Sequence, residues 1–459
     1  MSQLFDPVLE KTLIKDKKYL EQTTIPIITV SSTYQEDLKG FYNLPEIDTS
    51  NDIVFSRAHY SMALATAVQA WGEKINPKKA WVVDPTNYVK ADDWLSIQLT
   101  EKIGKTLARL PILKRLKDLV DKFGRKKLPI LDSIGPPLAY LTQNIKKPIL
   151  SFHIATGNIL IEQNKTIFQM VTDPHIREDY LLHADNPRLT YLVFDQNTKT
   201  ELLEKANLMD KAVDPNQVIV TGPPVDPRII AARKQKQPWR SGQLKLCLTT
   251  GGLGTNKPEI KTLLNQLLPE LRKRPSPYQL MVYAGTHNDI AQLVKKMARE
   301  KRVAVNEIHP KDPAKFKQRA KVSSPRKNHV NKELKDKKLT LIYHPQIVDA
   351  NELLIRYGFP WADGFISKPS GDMAYDAVAS GSFLLTLKEW GEWEHNIREI
   401  FEQKSISRRA NIDNIVTQLE TLRAAQGKSQ SWIEQAMNHA LSIDKLFIKG
   451  VKNILKAVK

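Results

Sequence analysis

The chain has 459 residues, 41% of them hydrophobic, with 69 Lys and Arg against 50 Asp and Glu, a formal net charge of +19. This length and hydrophobic share suit two or three domains, the absence of an uninterrupted 18-residue apolar run argues against a membrane-crossing helix, and the lone Cys247 excludes an internal disulfide framework. The opening MSQLFDPVLEKTL has no apolar signal core, so a cytoplasmic location is expected; the basic excess favours a polyanionic surface or substrate, although Lys is spread along most of the chain.

Residues 1–22 read as a leading helix, 26–31 as a strand, and the Asp- and Asn-rich segment to 52 as loop. A strand over 53–56, a loop RAHY, a helix over 61–71 and a strand over 80–83 follow. This places His59 on a sheet-to-helix loop, where an imidazole that titrates near neutrality can act as general base toward an acceptor hydroxyl; a lone histidine also serves as a structural or merely exposed residue. Residues 101–127 carry ten basic against three acidic side chains on an amphipathic pattern. That composition suits an anionic membrane interface, and equally a surface helix packed on a sheet.

A strand is expected over 128–131, then the turn SIGPP, a helix over 138–145 and a strand over 148–152 that ends in HIATGN. The strand over 167–171 ends in TDPH, which places Asp173 and His175 at a strand end. His153 and His183 have no compact zinc spacing relative to these, so no metal site is assigned. Strands over 191–194 and 217–220 flank a helix over 197–206. Such alternation with short turns predicts a mostly parallel sheet covered on both faces. The polar segment 228–242 reads as a joint that closes an N-terminal domain over 1–227.

The pattern restarts with a strand over 244–249, the loop TGGLGTN and a helix over 258–271. Gly251, Gly252 and Gly254 let the backbone approach a diphosphate, while Thr250, Thr255 and Asn256 can donate or cap. The loop is neither a P-loop nor a dinucleotide fingerprint. Strands over 279–284 and 303–308 enclose a helix over 290–298. Residues 311–338 then carry eleven basic against three acidic side chains, an insertion that suits a phosphate backbone, a lipid headgroup or plain solvent.

The strand over 339–343 ends at His344 and precedes a helix over 347–357. Residues 364–367 form a strand, 368–372 a turn, 373–379 a helix and 382–387 a strand, followed by the acidic, aromatic loop EWGEWEHN. The helix start offers N–H groups to a phosphate, and Asp376, one turn in, can accept from ribose hydroxyls. Helices over 397–403, 412–426 and 432–441 lead to KLFIKGVKNILKAVK, either a packed terminal helix or a cationic membrane contact. A second domain is expected over 243–415, with 416–459 as helices that pack back on the first.

Taken in order, residues 58–70, 132–154, 171–226, 246–256 and 365–396 resemble the GT-B glycosyltransferases. The resemblance is to the group that holds the lipid II N-acetylglucosaminyltransferase and the diacylglycerol glycosyltransferases. It implies an α/β fold of two Rossmann-like domains facing across a cleft, the acceptor on the N-terminal side, the donor on the C-terminal side, and a last helix crossing back. It also implies inversion at the anomeric carbon, no metal and no permanently bound cofactor.

Carried over, His59 becomes the catalytic base, with Asp173 a second candidate. The donor site becomes Gly251, Gly252, Gly254, Thr255, His344 and Lys368 with the phosphate loop Ser370 and Gly371, the ribose ligand Asp376 and the sugar contacts Glu392 and Asn396. Ser56, Arg57 and Ala58 replace the family's glycines before the histidine, and Asp372 and Met373 replace its Gly-Thr. The implied activity is transfer from a nucleotide-sugar, a UDP-sugar favoured, to a membrane-lipid hydroxyl by an enzyme peripheral to a membrane. The basic charge also suits a transferase acting on DNA or another polyanion, and altered loops suit a non-catalytic nucleotide- or polymer-binding protein.

Overall fold

The structure, a computed structural model, describes residues 9–33, 54–90, 93, 129–252, 254–308, 327–425 and 429–459. The basic stretch 101–127 and most of the basic insertion, 311–326, lie outside the described residues.

The first unit runs α1 (Glu10–Gln22), β1 (Ile25–Ile28), α2 (Arg57–Trp71), β2 (Ala80–Val83), α3 (Pro129–Thr142), β3 (Ile149–Ser151) and α4 (Ile154–Glu162). It continues through β4 (Ile167–Met170), β5 (Leu189–Val193), α5 (Gln196–Leu208) and β6 (Val218–Val220). The strands pair in parallel in the order β2-β1-β3-β4-β5-β6. Helices cover the sheet, so the strands read as short apolar runs rather than alternating ones. Leu13, Leu20, Ile28, Val83, Leu138 and Leu160 share its main core. The chain steps from β1 to β2 on one side and to β3 on the other, so a switch point lies between β1 and β3.

The second unit opens with α6 (Pro227–Arg233), β7 (Leu244–Thr249), α7 (Lys257–Arg272), β8 (Tyr278–Gly285), α8 (Asn288–Glu300) and β9 (Val305–Ile308). It proceeds through α9 (Lys327–Glu333), β10 (Leu339–Tyr343), α10 (Ile347–Leu353), β11 (Gly364–Ser367), α11 (Met373–Ala379) and β12 (Phe383–Thr386). Helix α12 (Glu392–Gln403), β13 (Ser407–Arg409), α13 (Ile415–Arg423), α14 (Trp432–Leu441) and α15 (Leu446–Val458) complete the chain. This sheet is also parallel, in the order β13-β12-β11-β7-β8-β10-β9, with its switch point between β7 and β11.

By packing, the described residues up to Pro224 form one unit together with Lys449–Lys459, and those of Val225–Ile448 form the other. Trp239 and the faces of α13 and α14, including Ile415, Leu419, Ile433 and Met437, belong to the second core. The last helix packs in the first unit: Asn453 Nδ2 donates to the Thr221 carbonyl at 2.8 Å, and Gly450 lies against Pro223, whose carbonyl oxygen would sit 1.9 Å from an added Cβ.

Four local expectations are corrected. The strand over 53–56 is reduced to a single antiparallel bridge between Ser32 and Val54. Helix α2 begins at Arg57, because Ser56 caps it by accepting from the His59 N–H, so RAHY is its first turn and not a loop. Residues 129–131 open α3 rather than a strand, and SIGPP lies inside that helix. Ile134, Leu138 and Leu141 recur at helical spacing and are fully buried, which outweighs the N–H groups that Pro136 and Pro137 lack. The acidic loop after β12 ends at Gly391; Glu392 and Glu394 start α12, where negative charge suits the helix dipole.

Among the described residues no helix is long and apolar enough to cross a membrane, and no cluster of metal-ligating side chains occurs.

Candidate functional site

In the first unit the carboxyl ends of β1, β3 and β4 bring a set of polar groups together. His59, in the first turn of α2, has Nδ1 3.2 Å from the Val30 carbonyl just past β1, and Nε2 3.2 Å from the Thr172 hydroxyl just past β4. A carbonyl only accepts, so Nδ1 carries a proton; in the neutral ring the Nε2 lone pair then faces Thr172. The Tyr180 hydroxyl lies 3.5 Å from that of Thr172, which extends the chain of hydroxyls away from the ring.

His153 stands edge-on to His59, with ring centroids 5.0 Å apart and planes at 81°. It caps α4 by accepting the Ala155 N–H on Nδ1 at 3.1 Å. Burial, with His59 and Arg177 nearby, holds it well below the usual imidazole range. The His59 site therefore has a neutral imidazole as its neighbour. The backbone under it is pinned by Asp84, a fully buried carboxylate that accepts from Ser31 N at 2.8 Å, Ser31 Oγ at 2.8 Å and Thr86 Oγ1 at 2.7 Å.

Asp173 follows Thr172 and is half-buried, its carbonyl accepting from the His175 N–H at 2.8 Å. His175 pairs with Glu201 at 3.2 Å and His183 with Glu162 at 3.2 Å.

In the second unit the loops after β7 and β11 meet at the switch point. Gly254 has φ +62° and donates to the Gly251 carbonyl at 2.8 Å, a tight turn that favours glycine. Asn256 clamps this loop, its Oδ1 accepting from Gly251 N at 3.3 Å and its Nδ2 donating to the Thr249 carbonyl at 3.3 Å. The carbonyl of Gly252 accepts from His287 Nε2 at 3.0 Å.

Lys368, directly after β11, passes beneath this loop: an added Cβ at Gly251 would lie 3.2 Å from its Cδ. Its ammonium reaches Thr255 Oγ1 at 3.4 Å and Glu394 Oε2 at 3.0 Å, and lies 5.6 Å from the centre of the Trp390 ring. Both charged side chains of the pair are only 7% exposed. Burial raises the Glu394 carboxyl above its usual range, and Lys368 offsets part of that rise.

Asp372 caps α11, its Oδ1 accepting from Met373 N at 2.7 Å and from Ser370 Oγ at 2.9 Å. The carboxylate is thus turned onto the helix start. Gly371 and Asp376 are buried beside it. His344, past β10, donates its N–H to the Gly285 carbonyl at 3.1 Å and accepts on Nδ1 from Gln346 N at 3.2 Å. Glu392 is exposed and Asn396 half-buried, one turn apart on α12.

The structure thus joins Gly251, Gly254, Thr255 and Lys368, and it places Glu394, Trp390 and Asn256 around them. In the first unit it adds His153, Thr172 and Tyr180 to His59. The one sequence signal for these was that all follow strand ends.

Two Rossmann-like α/β units in one chain, with a final helix that returns to the first, make this the GT-B architecture. No protein-family model and no curated protein matches the sequence. Among solved structures the chain is similar to MurG of Acinetobacter baumannii, at 10% identity and a TM-score of 0.43 over 94% of this chain and 99% of that one. It is also similar to UGT71G1 of Medicago truncatula complexed with UDP-glucose, at 10% identity and 0.46 over 96% and 99%. The UDP-GlcNAc 2-epimerase of Neisseria meningitidis, bound to UDP-GlcNAc, is similar at 12% identity and 0.45 over 94% and 99%.

Proposed function

We propose that the protein is a glycosyltransferase that moves a sugar from a nucleoside diphosphate donor, a UDP-sugar, to a hydroxyl of a membrane lipid, with inversion. The observation that carries the reading is the placing of His59 between the Val30 carbonyl and the Thr172 hydroxyl. With Nδ1–H held by the Val30 carbonyl, the Nε2 lone pair stands at the carboxyl ends of the strands, where an acceptor hydroxyl replaces that of Thr172. The bond from acceptor oxygen to anomeric carbon forms as the bond from that carbon to the phosphate breaks, and the hydroxyl proton passes to Nε2. The leaving diphosphate is taken by the second unit, where Lys368 and the loop from Gly251 to Thr255 supply a cation and close backbone approach. Asp376 takes the ribose, and Glu392 and Asn396 contact the sugar.

A lipid surface is supported by α15. Lys445, Lys449, Lys452, Lys456 and Lys459 are all exposed, at alternating steps of four and three residues that set them in one stripe. No acidic residue interrupts positions 445–459. Val451 and Ile454 are buried, so the contact with an anionic bilayer is electrostatic rather than inserted.

The test is a thermal-shift panel with UDP, GDP, ADP and TDP and their sugars, on the parent and on Asp376→Ala. Stabilisation by one nucleotide, lost in the variant, is expected; a parent that no nucleoside diphosphate stabilises overturns the reading. Flotation with anionic liposomes against a DNA gel shift then decides the acceptor surface.

A further inference from the structure

We propose that Glu394 is a built-in substitute for the donor diphosphate: it holds the Lys368 ammonium and gives it up when the diphosphate binds. The proposal rests on the donor-site reading above and adds a residue to it.

Lys368 stands at the switch point between β7 and β11, its stem against Gly251 and its ammonium within reach of Thr255. An ammonium there faces the place where a diphosphate meets the loop. Its anionic partner is Glu394, at 3.0 Å and equally buried. A buried Lys–Glu pair adds little stability over an apolar pair of the same size, because desolvation offsets the attraction. Its electrostatics do permit exchange of one anion for another at an unchanged cation.

Glu394 is also placed to survive the exchange. Its Oε2 accepts from Trp390 N, and it lies in the first turn of the twelve-residue α12. Its acidic neighbours are Glu389, which is tied to Arg398 and Arg409, and Glu259 on α7. Once Lys368 turns to the phosphates, these two acids and burial favour a protonated Glu394. Donor binding then takes up a proton, so affinity falls as pH rises.

The experiment is calorimetric binding of UDP to the full chain as parent, Glu394→Gln, Lys368→Met and the double variant. Glu394→Gln is expected to tighten binding about 3- to 10-fold, and Lys368→Met to weaken it about 10- to 100-fold, with the double variant like Lys368→Met. UDP-glucose, whose phosphodiesters do not titrate near neutrality, should bind the parent more weakly with rising pH, and Glu394→Gln without that slope. A Glu394→Gln protein that binds UDP no better than the parent and melts lower marks the pair as structural and overturns the proposal. So does undiminished binding by Lys368→Met. If the single variants fail to fold, the double variant, which leaves no lone buried charge, carries the Lys368 test, and full UDP affinity there is equally fatal. A parent that binds no UDP sinks the donor-site reading itself, an outcome distinct from these.

Discussion

The two units differ in how buried carboxylates at their sites are satisfied, although Asp372 of the second unit, like those of the first, takes neutral donors. In the first, Asp84 and Asp16 accept from neutral donors: serine and threonine groups for Asp84, and the Tyr88 hydroxyl at 2.6 Å and Trp81 Nε1 at 3.0 Å for Asp16. In the second, Glu394 is paired with Lys368, and Arg228 bridges Asp226 at 2.8 Å and Glu352 at 2.6 Å. The difference fits the proton transfer and the anion exchange proposed for the two sites. Around His59 stand the Val30 carbonyl, the Thr172 hydroxyl and the His153 ring, a setting suited to the proton transfer proposed there. Around Lys368 a carboxylate is already in place, the one that the proposed exchange with an incoming diphosphate would displace.

The largest expected effect tests the proton-transfer half. His59→Ala should lower kcat by about 10²- to 10⁴-fold while the affinity for UDP, assigned by the proposal to the second unit, stays at the parent value. Loss of UDP affinity together with activity would mean that His59 acts on the donor phosphates or on folding, and the division of labour would fail.

A smaller effect tests the neutral-donor rule itself. Asp16 is 6% exposed, and burial outweighs its hydrogen bonds, so its carboxyl is raised from 3.8 to about 6. The folded state therefore binds this proton more tightly than the unfolded chain does. The stabilisation is full below the unfolded value and is lost as pH rises through the folded one, a swing of about 2–3 kcal/mol. Asp16→Asn cannot ionise, so its Tm relative to the parent should rise across that interval. A variant equally destabilised at acid and alkaline pH would show that the bonds from Tyr88 and Trp81 offset burial and leave the carboxyl unshifted.

The sheets were legible in the sequence because parallel strands buried on both faces leave uninterrupted apolar runs. Leu244–Thr249, Leu339–Tyr343, Gly364–Ser367 and the helix Met373–Ala379 have the bounds that the runs predict. Local pattern misled where tertiary packing decides: α3 forms through its buried Ile134, Leu138 and Leu141 despite two prolines inside it, and the acidic turn at Glu392 serves as a helix start. The site was legible only by halves. The Gly251 loop and Lys368 were expected to share a site; that Glu394 is the carboxylate beside them was not, because only the turn of α12 decides which of two glutamates points inward. The hydroxyl facing His59 comes from Thr172, 113 residues away, a distance over which no spacing rule operates.

The smallest effect probes how the glycine loop and the cation are coupled. Gly251 has no positive φ, so alanine is compatible with its backbone, and the change there should be within about 0.5 kcal/mol of neutral. Its methyl group would meet Lys368 Cδ at 3.2 Å and Cγ at 3.8 Å, which requires the lysine stem to yield by a few tenths of an ångström. Because that stem is a flexible methylene chain, Gly251→Ala should weaken UDP binding only about 2- to 5-fold, measured by calorimetry beside Lys368→Met. A loss as large as that of Lys368→Met would mean that the backbone of the loop, not the ammonium, holds the phosphates. The second unit would then bind its anion as the first holds its carboxylates, through neutral donors, and the contrast between the two would disappear.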